Sequence, residues 1–192
     1  ISFVPLSDPR AIEGVEYIKS RGLTLDGDMY FDIHEKGIVF PYYFGNYFCG
    51  AQVRFLEERV NEDGSKWKIT TMSCSRLRLL FYGCNQSKFL AQVKGIIVTE
   101  GAFNAIAIQQ ALNVAYGGVS HNPWRVIACS GSGASTLQKE ALRELKEQGY
   151  KVIVAPDTDE AGLNMHRKFT EAGSITHYAF TGDANKDWND CL

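Results

Sequence analysis

Lys151-Val-Ile-Val-Ala-Pro-Asp157-Thr-Asp159-Glu-Ala-Gly162 is an apolar run that ends in two carboxylates two residues apart. Its β-branched part reads as a buried strand, and the passage from acid to glycine as the turn into a helix over 160–172. Two further segments have the same form. Gly95-Ile-Ile-Val-Thr-Glu100-Gly101 and Val126-Ile-Ala-Cys-Ser-Gly-Ser-Gly133 also run from strand straight into turn, and the chain closes on Lys186-Asp187-Trp-Asn-Asp190. Helical patterns follow the first two strands, over 103–112 and from about 135 to 148, and 174–180 reads as another strand. Strand–helix alternation of this length predicts a parallel sheet with covering helices. Right-handed crossovers bring the carboxyl ends of such strands to one edge, so Glu100, Gly131–Gly133, Asp157 and Asp159 are expected to gather there.

The first half has another texture. A short helix is expected over 8–21, opened by Asp8-Pro9 and ended by Gly22. From Met29 to Phe55 aromatic and β-branched residues alternate with glycines, which reads as antiparallel strands and hairpins. Asn61-Glu-Asp-Gly64 is a turn signal, and Lys66-Trp-Lys-Ile-Thr-Thr the return strand, with Lys66 and Lys68 on one face and Trp67 and Ile69 on the other.

The 192 residues suffice for one ordinary domain or two small ones. A net charge of −2 gives no overall pull toward nucleic acid or membrane, but the charges are unevenly spread. Between Gln52 and Lys94 eight bases face four acids, whereas from Gly95 onward eleven acids face eight bases. A basic middle beside acidic strand tips suits a polyanion held near bound cations. Solvated surface lysines and arginines would read the same way. The five cysteines form no C-x-x-C pair, and the four histidines show no ligand spacing, so no zinc ribbon or disulfide framework is indicated. A reducing compartment is expected: the cytoplasm, that of a bacterial host for a phage or plasmid protein, or an organelle in a eukaryote. No run approaches the roughly 18–20 apolar residues of a membrane span. The chain begins at Ile1 rather than methionine, which leads us to expect a piece of something longer.

Two carboxylates two residues apart on an extended segment reach one cation or two adjacent ones, and such hard oxygen ligands select Mg²⁺ or Mn²⁺. Glu100, at another strand tip, would complete the set or act on a proton. An isolated D-x-D ahead of a helix is also N-cap chemistry, with Asp157 or Asp159 capping helix 160–172. The Gly131–Gly133 turn offers backbone N–H groups to a phosphate, or Ser135 or Thr136 merely caps the following helix; it is no Walker A loop, for no Gly-Lys-Ser/Thr follows. Asp183, in a polar turn, is a lesser candidate than Asp187. Tyr42, Tyr43, Tyr47 and Trp67 could stack on bases, but such residues also serve as sheet core.

In order, Glu100-Gly101, the Ser130-Gly-Ser-Gly-Ala-Ser turn, Asp157-Thr-Asp-Glu-Ala-Gly162 and Lys186-Asp-Trp-Asn-Asp190 resemble a Toprim domain. That metal-binding module is shared by bacterial-type primases, topoisomerases and some nucleases, and the Asp-x-Asp-x-Ala-Gly form is most similar to phage and plasmid primases. Ile38-Val-Phe-Pro41, Gly50-Ala-Gln-Val-Arg54, Lys66-Trp67 and Leu80-Phe-Tyr82-Gly83 fall in the order of the basic subdomain that precedes Toprim in those enzymes. The resemblance implies an α+β basic subdomain with antiparallel strands over 1–94. An α/β Toprim domain, with a mainly parallel four-stranded sheet covered by helices, would follow over 95–192.

Carried over by position, it implies Glu100, Asp157 and Asp159 as the catalytic acids and metal ligands, with Asp187 as a further ligand. Arg54 and Lys66 match positions that contact template or incoming nucleotide, with Lys68, Arg76 and Arg78 nearby. The activity implied is that of a DNA primase core, making short RNA primers on single-stranded DNA from ribonucleoside triphosphates by two-metal nucleotidyl transfer. A Toprim nuclease or topoisomerase-like enzyme and a non-catalytic Toprim DNA-binding module are the alternatives. Partners implied are a replicative helicase, fused or separate, and a zinc-binding module outside this chain. Asn104 departs from the pattern, because primases of this type usually carry an acid four residues after the glutamate.

Overall fold

The computed structural model describes residues 3–25, 27–72, 77, 80–84, 93–131, 134–182, 188, 190 and 191. Two sheets organise them, one antiparallel with five strands and one parallel with four.

The antiparallel sheet runs in sequence order: β1 (Phe3–Pro5), β2 (Tyr30–Asp32), β3 (Gly37–Phe44), β4 (Tyr47–Val60) and β5 (Lys66–Thr71). Between β1 and β2 lies α1 (Ile12–Ser20), preceded by a 3-10 turn whose N-cap Asp8 accepts from the Arg10 amide. Gly22 follows with φ of +73°, a conformation glycine takes at no steric cost. The Asn61–Gly64 turn joins β4 to β5 as expected, and Gly64 has φ of +82°. Period-two alternation gives the sheet two apolar faces. Ile38, Phe40 and Tyr42 of β3 point into the main core, while Val39 packs with Ala51, Val53 and Phe55 on the other side.

The parallel sheet has strands β6 (Gly95–Thr99), β7 (Trp124–Ala128), β8 (Lys151–Val154) and β9 (His177–Tyr178), in the order β7-β6-β8-β9. Helix α2 (Ala102–Ala115) connects β6 to β7, α3 (Thr136–Glu147) connects β7 to β8, and α4 (Glu160–Glu171) connects β8 to β9. The chain first steps from β6 to β7 and then crosses back past β6 to β8. Helix α2 therefore covers one face, against Val126 and Ala128, and α3 and α4 cover the other, where Leu142, Met165 and Phe169 pack on Ile96, Val98, Ile127, Val152 and Val154. That reversal makes the carboxyl ends of β6 and β8 a switch point, where open α/β sheets form a crevice.

Residues Ala102–Ile108 of α2 are all buried, because the helix lies between the two sheets. Phe103 stacks edge-on against Phe40 with centroids 5.0 Å apart, and burying such a ring contributes about 1.5–3 kcal/mol. One core thus joins both halves of the chain. Residues 174–180 form a shorter strand than their sequence suggests. Only His177 and Tyr178 pair with β8 as strand, flanked by backbone bonds from the Thr176 amide to the Val152 carbonyl and from the Ala179 amide to the Val154 carbonyl.

Candidate active site

The register of the parallel sheet sets the site. Val98 of β6 lies opposite Val154 of β8, so Glu100 and Asp157 leave neighbouring strands two and three residues further on. Adjacent strands are roughly 4.8 Å apart, which puts the two carboxylates on one rim. Glu100, Asn104 and Asp157 line a cavity of about 370 Å³ together with Ser130 and Gly131 after β7, and Arg21, Phe40, Gln52, Arg54, Ile69 and Phe103. Two walls of this cavity come from the parallel sheet and α2, the others from the antiparallel sheet and the end of α1.

Glu100 carries the clearest electrostatic mark. Its Oε2 is buried with no hydrogen-bond partner among the described residues. Burial first, and then the charges of Asp157 and Asp159, push its carboxyl up to about 7. Asp157 accepts a hydrogen bond from the Asn104 amide at 2.8 Å, and Asn104 is only 6% exposed. Asp159 is the N-cap of α4, its Oδ1 accepting from the Gly162 amide at 2.8 Å. N-capping and charge coupling to Glu100 therefore coexist in the D-x-D: both acids act on Glu100, and Asp159 caps α4 as well.

The folded pKa of Glu100 lies above the ordinary 4.5, so the folded state keeps an extra proton between about 4.5 and 7. Stability from this group is thus greatest below that window and falls as pH rises through 7, where a partly buried charge must be carried. In EDTA the unfolding free energy is expected to drop by about 1–2 kcal/mol across this range, after allowing for solvent screening of a half-exposed group. Glu100→Gln should flatten that slope in a thermal melt. An unchanged slope would contradict the assignment.

Opposite the acids stand two guanidinium groups. Arg54 lies with its Cζ 5.5 Å from the centre of the Phe103 ring and hydrogen-bonds the Tyr17 hydroxyl at 3.4 Å; Arg21 approaches the same ring at 5.8 Å. Gln52 donates to the Ser130 carbonyl at 3.0 Å and accepts from the Tyr42 hydroxyl at 3.3 Å, tying β4 to the turn after β7. Arg21 and Gln52 are site residues that the sequence reading missed. Arg21 stands at the C-cap of a helix, an unremarkable place for a base. Gln52 carries no charge.

The other candidates fall elsewhere. Lys66 pairs with Glu58 at 2.9 Å and Lys68 reaches the same carboxylate at 4.0 Å, and neither lines the cavity. They share the exposed face of β5, as alternation predicts, while Ile69 on the other face reaches the cavity. Ser135 caps α3 in a full capping box with Gln138, which is the structural reading of that turn. Tyr42 is buried core and Tyr47 is 78% exposed. Arg76, Arg78, Asp183 and Asp187 lie outside the described residues, as do Ser132 and Gly133. Trp188 is described, and its indole N–H donates to the carbonyl of Pro156, next to Asp157.

Among the described residues no three acidic, histidine or cysteine side chains close on a single point. The donor set is sparse rather than a cage. Two carboxylates on one cavity, one with an orphaned buried oxygen and a pKa raised by burial and then by like charge, still fit a divalent cation of the magnesium kind, which keeps several waters and takes few protein ligands. No described helix is long and apolar enough to cross a membrane.

Comparison with known proteins bears on the family and the fold. The Toprim-like family profile matches residues 97–192. The chain is similar in structure to the RNA polymerase domain of Mycobacterium tuberculosis primase DnaG, with a TM-score of 0.67 and 15% identity over 97% of this chain and 73% of that one. The primase fragment of the bacteriophage T7 primase-helicase protein gives 0.59 and 21%, over 90% and 67%. A DnaG primase catalytic domain bound to single-stranded DNA gives 0.64 and 15%, over 96% and 68%. At these identities the likeness is one of fold, and it extends across both sheets. No curated protein sequence matches the chain.

Proposed function

Because this chain belongs to the Toprim-like family, we propose that it is the catalytic core of a DNA primase, which joins ribonucleotides into short primers on single-stranded DNA. The observation that carries the reading is the shared cavity: Glu100 and Asp157 from adjacent strand tips on one side, Arg54 and Arg21 over Phe103 on the other. Acids that attract cations, facing bases that attract phosphates, are what a nucleoside triphosphate with its metal requires. Likeness to primase cores over both halves supports this choice above a nuclease or topoisomerase. We place the basic subdomain at 1–94 and the Toprim domain at 95–192.

Mg²⁺ or Mn²⁺ held by Glu100 and Asp157, with Asp159 and Asp187 as further ligands, would supply charge neutralisation at the triphosphate and a more acidic 3′-hydroxyl. The chain's own groups do the rest. Glu100, close to half-protonated near neutral pH, gives up its proton at little cost when a cation arrives. Arg54 and Arg21 hold the phosphates, their guanidinium carbons 5.5 and 5.8 Å from the centre of the Phe103 ring. Gln52 keeps the Ser130 turn at a set distance from β4. Lys66 and Lys68, on the exposed face of β5, are contacts proposed for the template strand, and Arg76 and Arg78 are proposed for it from the sequence alone. The near-neutral net charge implies weak binding to DNA, which a helicase holding the strand nearby would offset; a zinc-binding module would select the template site.

Arg54→Ala should raise the KM for nucleotide about 10–100-fold, as expected for a lost charge-assisted contact, with a smaller change in kcat. An unchanged KM would remove Arg54 from the site. The function itself is tested by incubating the chain with single-stranded DNA, ribonucleotides and Mg²⁺ or Mn²⁺. Short labelled RNA that disappears in EDTA supports priming. Nicked DNA would point to a nuclease, and binding without turnover to a non-catalytic module.

A further inference from the structure

Asn104 stands in the first turn of α2, four residues after Glu100, and is nearly sealed from solvent. Its Nδ2 donates to Asp157 Oδ1 at 2.8 Å. The direction of this bond follows from its partner, because an ionised carboxylate only accepts. One lone pair of Oδ1 is therefore taken by the protein. A carboxylate at 104 would meet Asp157 at the same separation. Two buried carboxylate oxygens so close cannot both stay ionised unless a cation or proton lies between them.

We infer that Asn104 is a positioning residue that stands in for a bound cation: its amide hydrogen bond occupies the point between positions 104 and 157 where two acids would need a metal ion. The inference rests on the reading that Glu100 and Asp157 hold divalent cations. On this account the Asn104 amide keeps the Asp157 carboxylate ready without metal, and the described part of the site holds one cation, toward Glu100. Any second cation then enters with the triphosphate of the nucleotide rather than being resident. The amide thus sets how many metal ions the protein carries before substrate arrives.

The test counts ions rather than turnover. Mn²⁺ binding to the whole chain, without nucleotide, is followed by electron paramagnetic resonance and calorimetry for the wild type, Asn104→Asp, Asn104→Ala and Asp157→Ala. Asn104→Asp should take up one more Mn²⁺ per chain and melt lower in EDTA than in Mn²⁺, by a wider margin than the wild type. Asn104→Ala should bind the same number about 10-fold more weakly, the usual loss when a ligand's hydrogen-bonded support is removed. The extra Mn²⁺ of Asn104→Asp should be lost when Asp157→Ala is added, and the gain of a bound ion on substitution at 104 is an outcome a purely structural role for Asn104 would not produce. If Asp157→Ala abolishes Mn²⁺ binding while Asn104→Asp leaves number and affinity unchanged, this inference is wrong and the cation site stands. If the wild type binds no Mn²⁺, or binds it with Asp157 absent, both fall.

Discussion

Asp157→Ala is expected to reduce primer synthesis by about 1000-fold, equivalent to roughly 4 kcal/mol of transition-state stabilisation lost with a metal-holding carboxylate. The residue has two roles, and the substitution separates them. It removes an acid from the cavity that also contains Arg54, and it leaves the Asn104 amide without the carboxylate that accepts from it. The second effect costs about 1–3 kcal/mol of stability, because Asn104 is buried. Part of that loss is offset, since Glu100 no longer faces the Asp157 charge that helps to raise its pKa. The variant should therefore stay folded, with its Glu100 titrating closer to an ordinary carboxyl. NMR titration of Glu100 and the primer assay, made on the same sample, check both halves. Full activity in a folded Asp157→Ala protein would end the reading.

Gly162→Ala is the larger structural perturbation. A methyl there would run into the backbone carbonyl of Asp157, because the first turn of α4 folds tightly back over the strand end. The Gly162 amide also supplies the hydrogen bond that Asp159 accepts as N-cap. Alanine is normally the better helix former, so any destabilisation measures this contact rather than helix propensity. Overpacking of this kind costs about 1–3 kcal/mol, or a fall in Tm of roughly 2–12 °C for a chain of this size. Relief must come by moving either α4 or the Asp157 backbone. A displacement of about 1 Å at a reacting centre costs on the order of 100-fold in rate, so activity should fall further than stability alone explains. A Gly162→Ala protein as stable and active as the wild type would show that the D-x-D-to-helix turn has more room than it does here.

These residues also show what the sequence could disclose. Strand–helix alternation made the parallel sheet legible, and the acids at its strand ends pointed to one rim, because crossover handedness leaves little freedom. Strand order was not legible. That β6 and β8 are neighbours, with β7 set aside, comes from the return crossing past β6, which no local pattern records. The basic residues show the complementary limit. Alternation correctly placed Lys66 and Lys68 on one face of β5, but the partner strand slips in register between Arg54 and Arg59, and that slip brings Glu58 to both lysines. Arg54, one strand over, reaches the cavity instead. Arg21 was hidden for a simpler reason: it belongs to the site only because α1 packs its C-terminal end over Phe103, a contact 82 positions distant along the chain. Asn104 was visible as a departure from an acidic pattern, yet its role depends on which atom faces Asp157.

Anomalous scattering from a crystal of the chain soaked in Mn²⁺ tests the convergence of these groups most directly. The account predicts a peak in the cavity about 2.1 Å from carboxylate oxygens of both Glu100 and Asp157, with water and the further acids Asp159 and Asp187 filling the other positions. A well-ordered site with no peak, or Mn²⁺ bound only where Glu100 takes no part, would contradict it.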